Sequence, residues 1–126
     1  MLLRLAILHV IGFNLDIPDS LPKAVSTFDK LLRLTPNDPQ ANFRYGSFLA
    51  ASTKDGRAIP FLEKARSLGV EGADYWLGLS YAVTGKKAKA IDTLERYTRR
   101  VPTDERAIAM LEAIRNNRFN VEVKKQ

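Results

Sequence analysis

The sequence predicts an all-α fold, an array of stacked helical hairpins made from seven helices. Three observations carry this. First, a spacing recurs: Gly12 is followed twelve residues on by Ala24-Val25, Gly46 by Ala58-Ile59, and Gly78 by Ala90-Ile91. The glycines lie 34 and then 32 residues apart, and so do the alanines. Self-similarity at that period marks hairpin repeats that bury their apolar faces by stacking. Second, clusters of Pro, Gly, Asn, Asp, Ser and Thr cut the chain into seven stretches of helical length. Third, no stretch alternates apolar and polar residues over a useful window, so strands are not expected.

The first helix occupies roughly residues 1–15 by this pattern. Residues 1–11 (MLLRLAILHVI) have the charged start and apolar middle of a signal peptide. No small-x-small cleavage site follows, and the run is too short to cross a bilayer. With Gly12 in register it reads as a structural helix. Apolar side chains surround it, so it expects cover on every side. Leu2, Leu3 and Ile7 are therefore candidates for self-association, as a two-fold dimer.

Pro18, Asp19, Ser20 and Pro22 introduce the second helix, where Val25, Phe28, Leu31, Leu32 and Leu34 share a face. Residues 35–39 (TPNDP) end it, and residues 52–56 (STKDG) end the third helix, which carries Gly46. The fourth carries Ala58 and Leu62 and stops at Gly69, expected as a left-handed cap. Gly72 precedes the fifth, Thr84-Gly85 closes it, and the sixth groups Ala90, Ile91, Leu94, Tyr97 and Val101. Pro102 then breaks the chain. The seventh runs from about Asp104 to Asn116, with Thr103 expected as N-cap and Asp104 and Glu105 at the positive end of its dipole. A tail, residues 118–126, follows, in which Phe119, Val121 and Val123 alternate.

A glycine inside a helix costs about 1 kcal/mol against alanine, so three in register need a packing reason. Bare backbone at Gly12, Gly46 and Gly78 lets the second helix of each hairpin approach closely. Ala24, Ala58 and Ala90 are expected at the same crossings, with Leu15, Leu49 and Tyr81, then Phe28, Leu62 and Leu94, filling the space beside them.

At these residues the chain resembles the tetratricopeptide repeat family. Its 34-residue pattern pairs an aliphatic residue with glycine, then places tyrosine or aliphatic, small, aromatic, small and proline positions in turn. Ile11-Gly12, Tyr45-Gly46 and Leu77-Gly78 match, with the alanines above, Phe28, Ala65, Pro36 and Pro102. Leu8, Asn42 and Asp74 stand where an aromatic is expected, Val70 replaces a proline, and Leu31 and Tyr97 replace small residues. The resemblance implies a right-handed α-α superhelix and one domain, 1–126. Its repeats would cover about 5–38, 39–70 and 71–104, closed by a capping helix at about 104–117. Glu112 holds the glycine position of that last helix and cannot admit a close partner, which suits a polar cap.

Ordinary apolar content (45%) and charged content (27%) fit a globular domain. The chain has no cysteine, hence no disulfide framework. His9 is the only histidine, which excludes histidine-based metal clusters; on its helix it is expected to line the array. No phosphate-cradling glycine loop occurs, and the carboxylates scatter through turns and helix ends. No enzyme activity, cofactor or metal is expected. A cytoplasmic location is preferred over a periplasmic or secreted one.

The resemblance implies that the first helix of each hairpin lines a concave groove. It gives His9 and Phe13 in the first unit, Phe43, Arg44 and Ser47 in the second, and Tyr75, Trp76 and Leu79 in the third. Gln40, Ala50, Gly72 and Ala82 fall on the same line. Aromatic anchors with one arginine suit recognition of a protein segment.

The net charge is +6, and residues 57–126 hold fourteen basic and nine acidic side chains. Lys86, Lys87, Lys89, Arg96, Arg99, Arg100, Arg106, Arg115 and Arg118 offer a polyanion a surface, but with no nucleic-acid motif. The expected function is a non-enzymatic protein-interaction scaffold, its groove holding a segment of a partner protein. Self-assembly through the apolar first helix is one alternative. Polyanion or nucleic-acid binding is another and is disfavoured, and no membrane span is expected.

Overall fold

A computed structural model describes residues 20–118, which form six helices and no strand. They are α1 (Ser20–Leu34), α2 (Pro39–Ser52), α3 (Ile59–Ser67), α4 (Ala73–Val83), α5 (Lys87–Arg100) and α6 (Glu105–Arg115). These correspond to the second through seventh expected helices. The expected first helix, with Leu2, Leu3, Ile7, His9, Gly12 and Phe13, lies outside the described residues, as does the tail beyond Arg118.

Local chemistry sets the boundaries. The Asp38 carboxylate accepts from the amides of Gln40 (2.9 Å) and Ala41 (3.2 Å), and Pro39 opens α2 where its missing N–H costs nothing. Asp104 caps α6 by accepting from the Ala107 amide. The cap is therefore Asp104 and not the expected Thr103, one residue earlier. Gly69 (φ +93°) ends α3: its amide donates to the Arg66 carbonyl and that of Val70 to Ala65. Gly85 ends α4 with the same pair of bonds one turn back, and Asn117 (φ 57°) does so after α6.

Each helix packs on the next in sequence. In addition α2 touches α4 and α4 touches α6, whereas α1, α3 and α5 make no such contacts with one another. The result is two layers: α2, α4 and α6 form a touching row, and α1, α3 and α5 stand apart on its other side. The core runs between them through Ala24, Phe28, Leu49, Leu62, Leu77, Ala90 and Leu94, each almost wholly buried.

The two described glycine crossings are as close as the sequence requires. A Cβ on Gly46 would sit 2.6 Å from Leu62 Cγ, and one on Gly78 would sit 2.5 Å from Leu94 Cγ. The leucines cover the glycines. Ala58 and Ala90, four residues earlier in the chain, are buried as well.

A second periodic device joins consecutive hairpins. Asp29, Glu63 and Glu95 follow directly on Phe28, Leu62 and Leu94, so they share the 34- and 32-residue register. Each is engaged by the next inner helix. Tyr45 Oη donates to Asp29 (3.3 Å) and Tyr81 Oη to Glu63 (2.6 Å), while Arg115 pairs with Glu95. Tyr97 Oη donates likewise to Asp104, at 2.7 Å.

Burial first, and the adjoining carboxylate second, push the Tyr45, Tyr81 and Tyr97 phenols from 10.0 up to about 12. Below pH 10 these phenols keep their protons whether the chain is folded or not. Above it the unfolded chain ionises first, so stability is lost as pH rises from about 10 to about 12. A combined pH titration of tyrosinate absorbance and helical circular dichroism should therefore show ionisation and unfolding together in that interval. Ionisation of all the tyrosines near pH 10 with helicity intact would contradict this.

Candidate functional site

The inner row carries the expected groove residues. Phe43, Ser47 and Ala50 recur at helical spacing on one face of α2, and Tyr75, Leu79 and Ala82 do so on α4. All six are half-buried, as is Trp76, while Arg44 is exposed. The Tyr75 and Trp76 rings meet edge to face at 5.2 Å, and Tyr75 also lies 6.2 Å from Tyr97. Phe43 and Trp76 pack against the core from its margin. The tip of the Phe43 ring rests on Gly72, where a Cβ would come within 3.3 Å of it. Phe43 thus joins α2 to the turn before α4 while remaining only half-buried. His9 and Phe13 lie outside the described residues.

One residue of this row was assigned to the basic surface by its charge. Arg106, in the first turn of α6, lies with its guanidinium 4.9 Å from the centre of the Tyr75 ring, a cation–π arrangement that keeps the charge in solvent. The signal was available: Arg106 holds the second position after the last repeat, as Gln40 and Gly72 do in theirs. Met110, one turn further along α6, packs against the core margin.

The remaining arginines of the basic surface are largely committed. Asp74, 2% exposed, accepts from Arg100 at 2.9 Å and has an ionic contact with Arg66 at 3.5 Å. Arg96 reaches Asp92 at 3.6 Å, and Arg115 is held by Glu95. Lys89 lies over the Tyr81 ring, and Lys87 bonds to Asn117. The charges belong to ties between helices more than to a free basic field.

Asn42 and Asp74, where the resemblance called for an aromatic, are both buried. Each substitutes polar bonds for ring packing. The Asn42 amide donates to the carbonyls of Pro36 (3.1 Å) and Asp38 (2.9 Å), tying the turn to α2. Asp74 instead ties α3, α4 and α5 together through its arginines. Among the described residues no group of His, Cys, Asp and Glu is arranged to hold a metal ion, and no helix is long and apolar enough to cross a membrane.

A family model described as tetratricopeptide repeat matches residues 73–104. This segment is a tetratricopeptide repeat. It comprises α4, α5 and the turn that leads to α6, with Gly78 under Leu94 at its crossing. Tetratricopeptide repeats are in general non-catalytic protein-interaction elements, and no curated protein matches the chain. In the matched repeat Tyr75, Trp76 and Leu79 belong to the first helix, the one in the touching row.

Proposed function

We propose that the chain is one domain of three tetratricopeptide-like hairpins, at about 5–38, 39–70 and 71–104, closed by α6 as a cap. It works without catalysis, holding a segment of a partner protein along α2, α4 and α6. The observation that supports this most is the unequal packing of the two layers. Inner helices touch and outer helices stand apart, which bends such a stack so that the inner row faces a concavity. That concavity carries Phe43, Tyr75 and Trp76 only half-buried, with Leu79 beside them. Rings anchored at one edge and wet at the other lose little entropy when a partner covers them.

Comparing wild type with Phe43→Ala and Tyr75→Ala in pull-downs from a cell extract, followed by affinity measurement on the recovered partner, tests this. Each truncation should weaken binding by about 1–2 kcal/mol and leave the helical circular dichroism unchanged. Because Phe43 also rests on Gly72, Tyr75→Ala is the cleaner of the two. Unchanged affinity in both variants would refute the groove, and loss of helicity in Tyr75→Ala would make that ring part of the core.

A further inference from the structure

On α2 and α4 the exposed charge that a partner would meet is positive. Helix α2 carries a single charged residue, Arg44, and helix α4 a single one, Asp74. Asp74 is 2% exposed and its carboxylate is taken up by Arg66 and Arg100, so it presents no negative charge to the groove. Arg44 is exposed and forms no ion pair among the described residues. The third helix of the row, α6, adds Arg106, its side chain 76% exposed and lying along Tyr75. Of its two exposed glutamates, Glu105 precedes Arg106 and Glu112 lines a recess against α5 with Glu95 and Arg99. Asp104, 4.0 Å from Arg106, already accepts from Tyr97 and from the Ala107 amide.

Helix α4, which carries Tyr75 and Trp76, touches both α2 and α6 and so stands between them in the row. Adjacent packed helices are spaced by about 8–10 Å, so Arg44 on α2 and Arg106 on α6 stand two steps, roughly 20 Å, apart. An extended chain covers that distance in about six residues.

We propose that the bound segment is acidic at both ends of an apolar centre, with carboxylates about six residues apart that meet Arg44 and Arg106 while an aromatic or aliphatic side chain sits on Tyr75 and Trp76. This rests on the groove reading above and adds the chemistry of the partner. Exposed arginines of this kind act by steering the approach of the partner and rejecting basic segments, so the acidic preference is a matter of selectivity as well as strength.

Selection of a random peptide library displayed on phage against the full chain tests it. Peptides recovered on wild type should be enriched in Asp and Glu flanking an aromatic or aliphatic residue. Their binding should fall on the order of tenfold in an Arg44→Glu/Arg106→Glu variant and weaken with added salt. Both positions tolerate the change: Arg44 is exposed, and a glutamate in the first turn of α6 is favoured by the helix dipole. The same selection repeated on that variant should yield basic peptides instead. Peptides sensitive to Tyr75→Ala but without acidic bias would overturn this inference and leave the groove standing. Peptides insensitive to Tyr75→Ala, or no enrichment at all, would overturn both.

Discussion

Replacing Gly78 with valine should destabilise the domain by about 3 kcal/mol and lower its melting temperature by roughly 10–15 °C. A Cβ there comes within 2.5 Å of Leu94 Cγ and 2.6 Å of its Cδ2, and Leu94 is completely buried, so relieving the overlap means moving a packed core side chain. The methyls of valine add to that overlap. Alanine at the same place gives a smaller loss of about 1–2 kcal/mol, because the gain in helix propensity offsets part of the clash. The partner substitution provides the check: Leu94→Ala opens space, so Gly78→Ala in that background should cost less than in wild type. Additive effects of the two changes would show that the crossing is not where the strain arises. Thermal and urea unfolding of the four proteins measures this.

Asp74→Ala should cost about 2 kcal/mol, more than any exposed charge in the chain. It removes the one buried carboxylate that faces Arg66 and Arg100 from α3 and α5. Breaking a fully buried pair costs about 3–5 kcal/mol, but these arginines have side chains 35% and 40% exposed and recover hydration, which lowers the figure. Arg100→Ala should cost less, since Arg66 still neutralises Asp74. Asp74 Oδ1 and Arg96 Nε, two buried polar atoms without a hydrogen-bond partner, both belong to residues lining an open recess of about 230 Å³ that admits water. Urea unfolding midpoints order the variants, and a midpoint for Asp74→Ala equal to wild type would show the network to be dispensable.

What the sequence revealed follows from how periodic each signal was. Gly46 and Gly78 mark their crossings because only a missing side chain fits under Leu62 and Leu94, and the spacing repeats. Gly69 marked its cap because a left-handed residue is required where α3 ends. Spacing fixes which face is buried and not which side chain on it lies nearest the glycine; at Gly46 and Gly78 the nearest are Leu62 and Leu94. The cap of α6 moved from Thr103 to Asp104 because both residues can cap and only backbone geometry chooses between them.

The ties through Asp29, Glu63 and Glu95 were in register and were missed, as scattered carboxylates ordinarily mark a solvated surface. Their partners are Tyr45, Tyr81 and Arg115: two tyrosines at different repeat positions, and an arginine at the position of the second, so only the acidic half of the pattern keeps both its type and its place. Asn42 and Asp74 looked like defects for the converse reason. Their roles depend on a turn carbonyl in one case and on arginines 8 residues upstream and 26 downstream in the other. Phe43, Arg44, Ser47, Tyr75, Trp76 and Leu79 are assigned to the proposed groove by repeat position alone. Arg106 was grouped by charge with Arg99 and Arg100, although its helix belongs to the inner row.

Amide chemical-shift mapping with a recovered partner segment tests the proposed groove most directly. Titration of that segment into the isotope-labelled chain should perturb Phe43, Arg44, Ser47, Tyr75, Trp76, Leu79 and Arg106 on α2, α4 and α6. The outer helices α3 and α5, including Lys64, Arg96 and Arg99, should be left unchanged. Perturbations concentrated on α3 and α5 instead would contradict it.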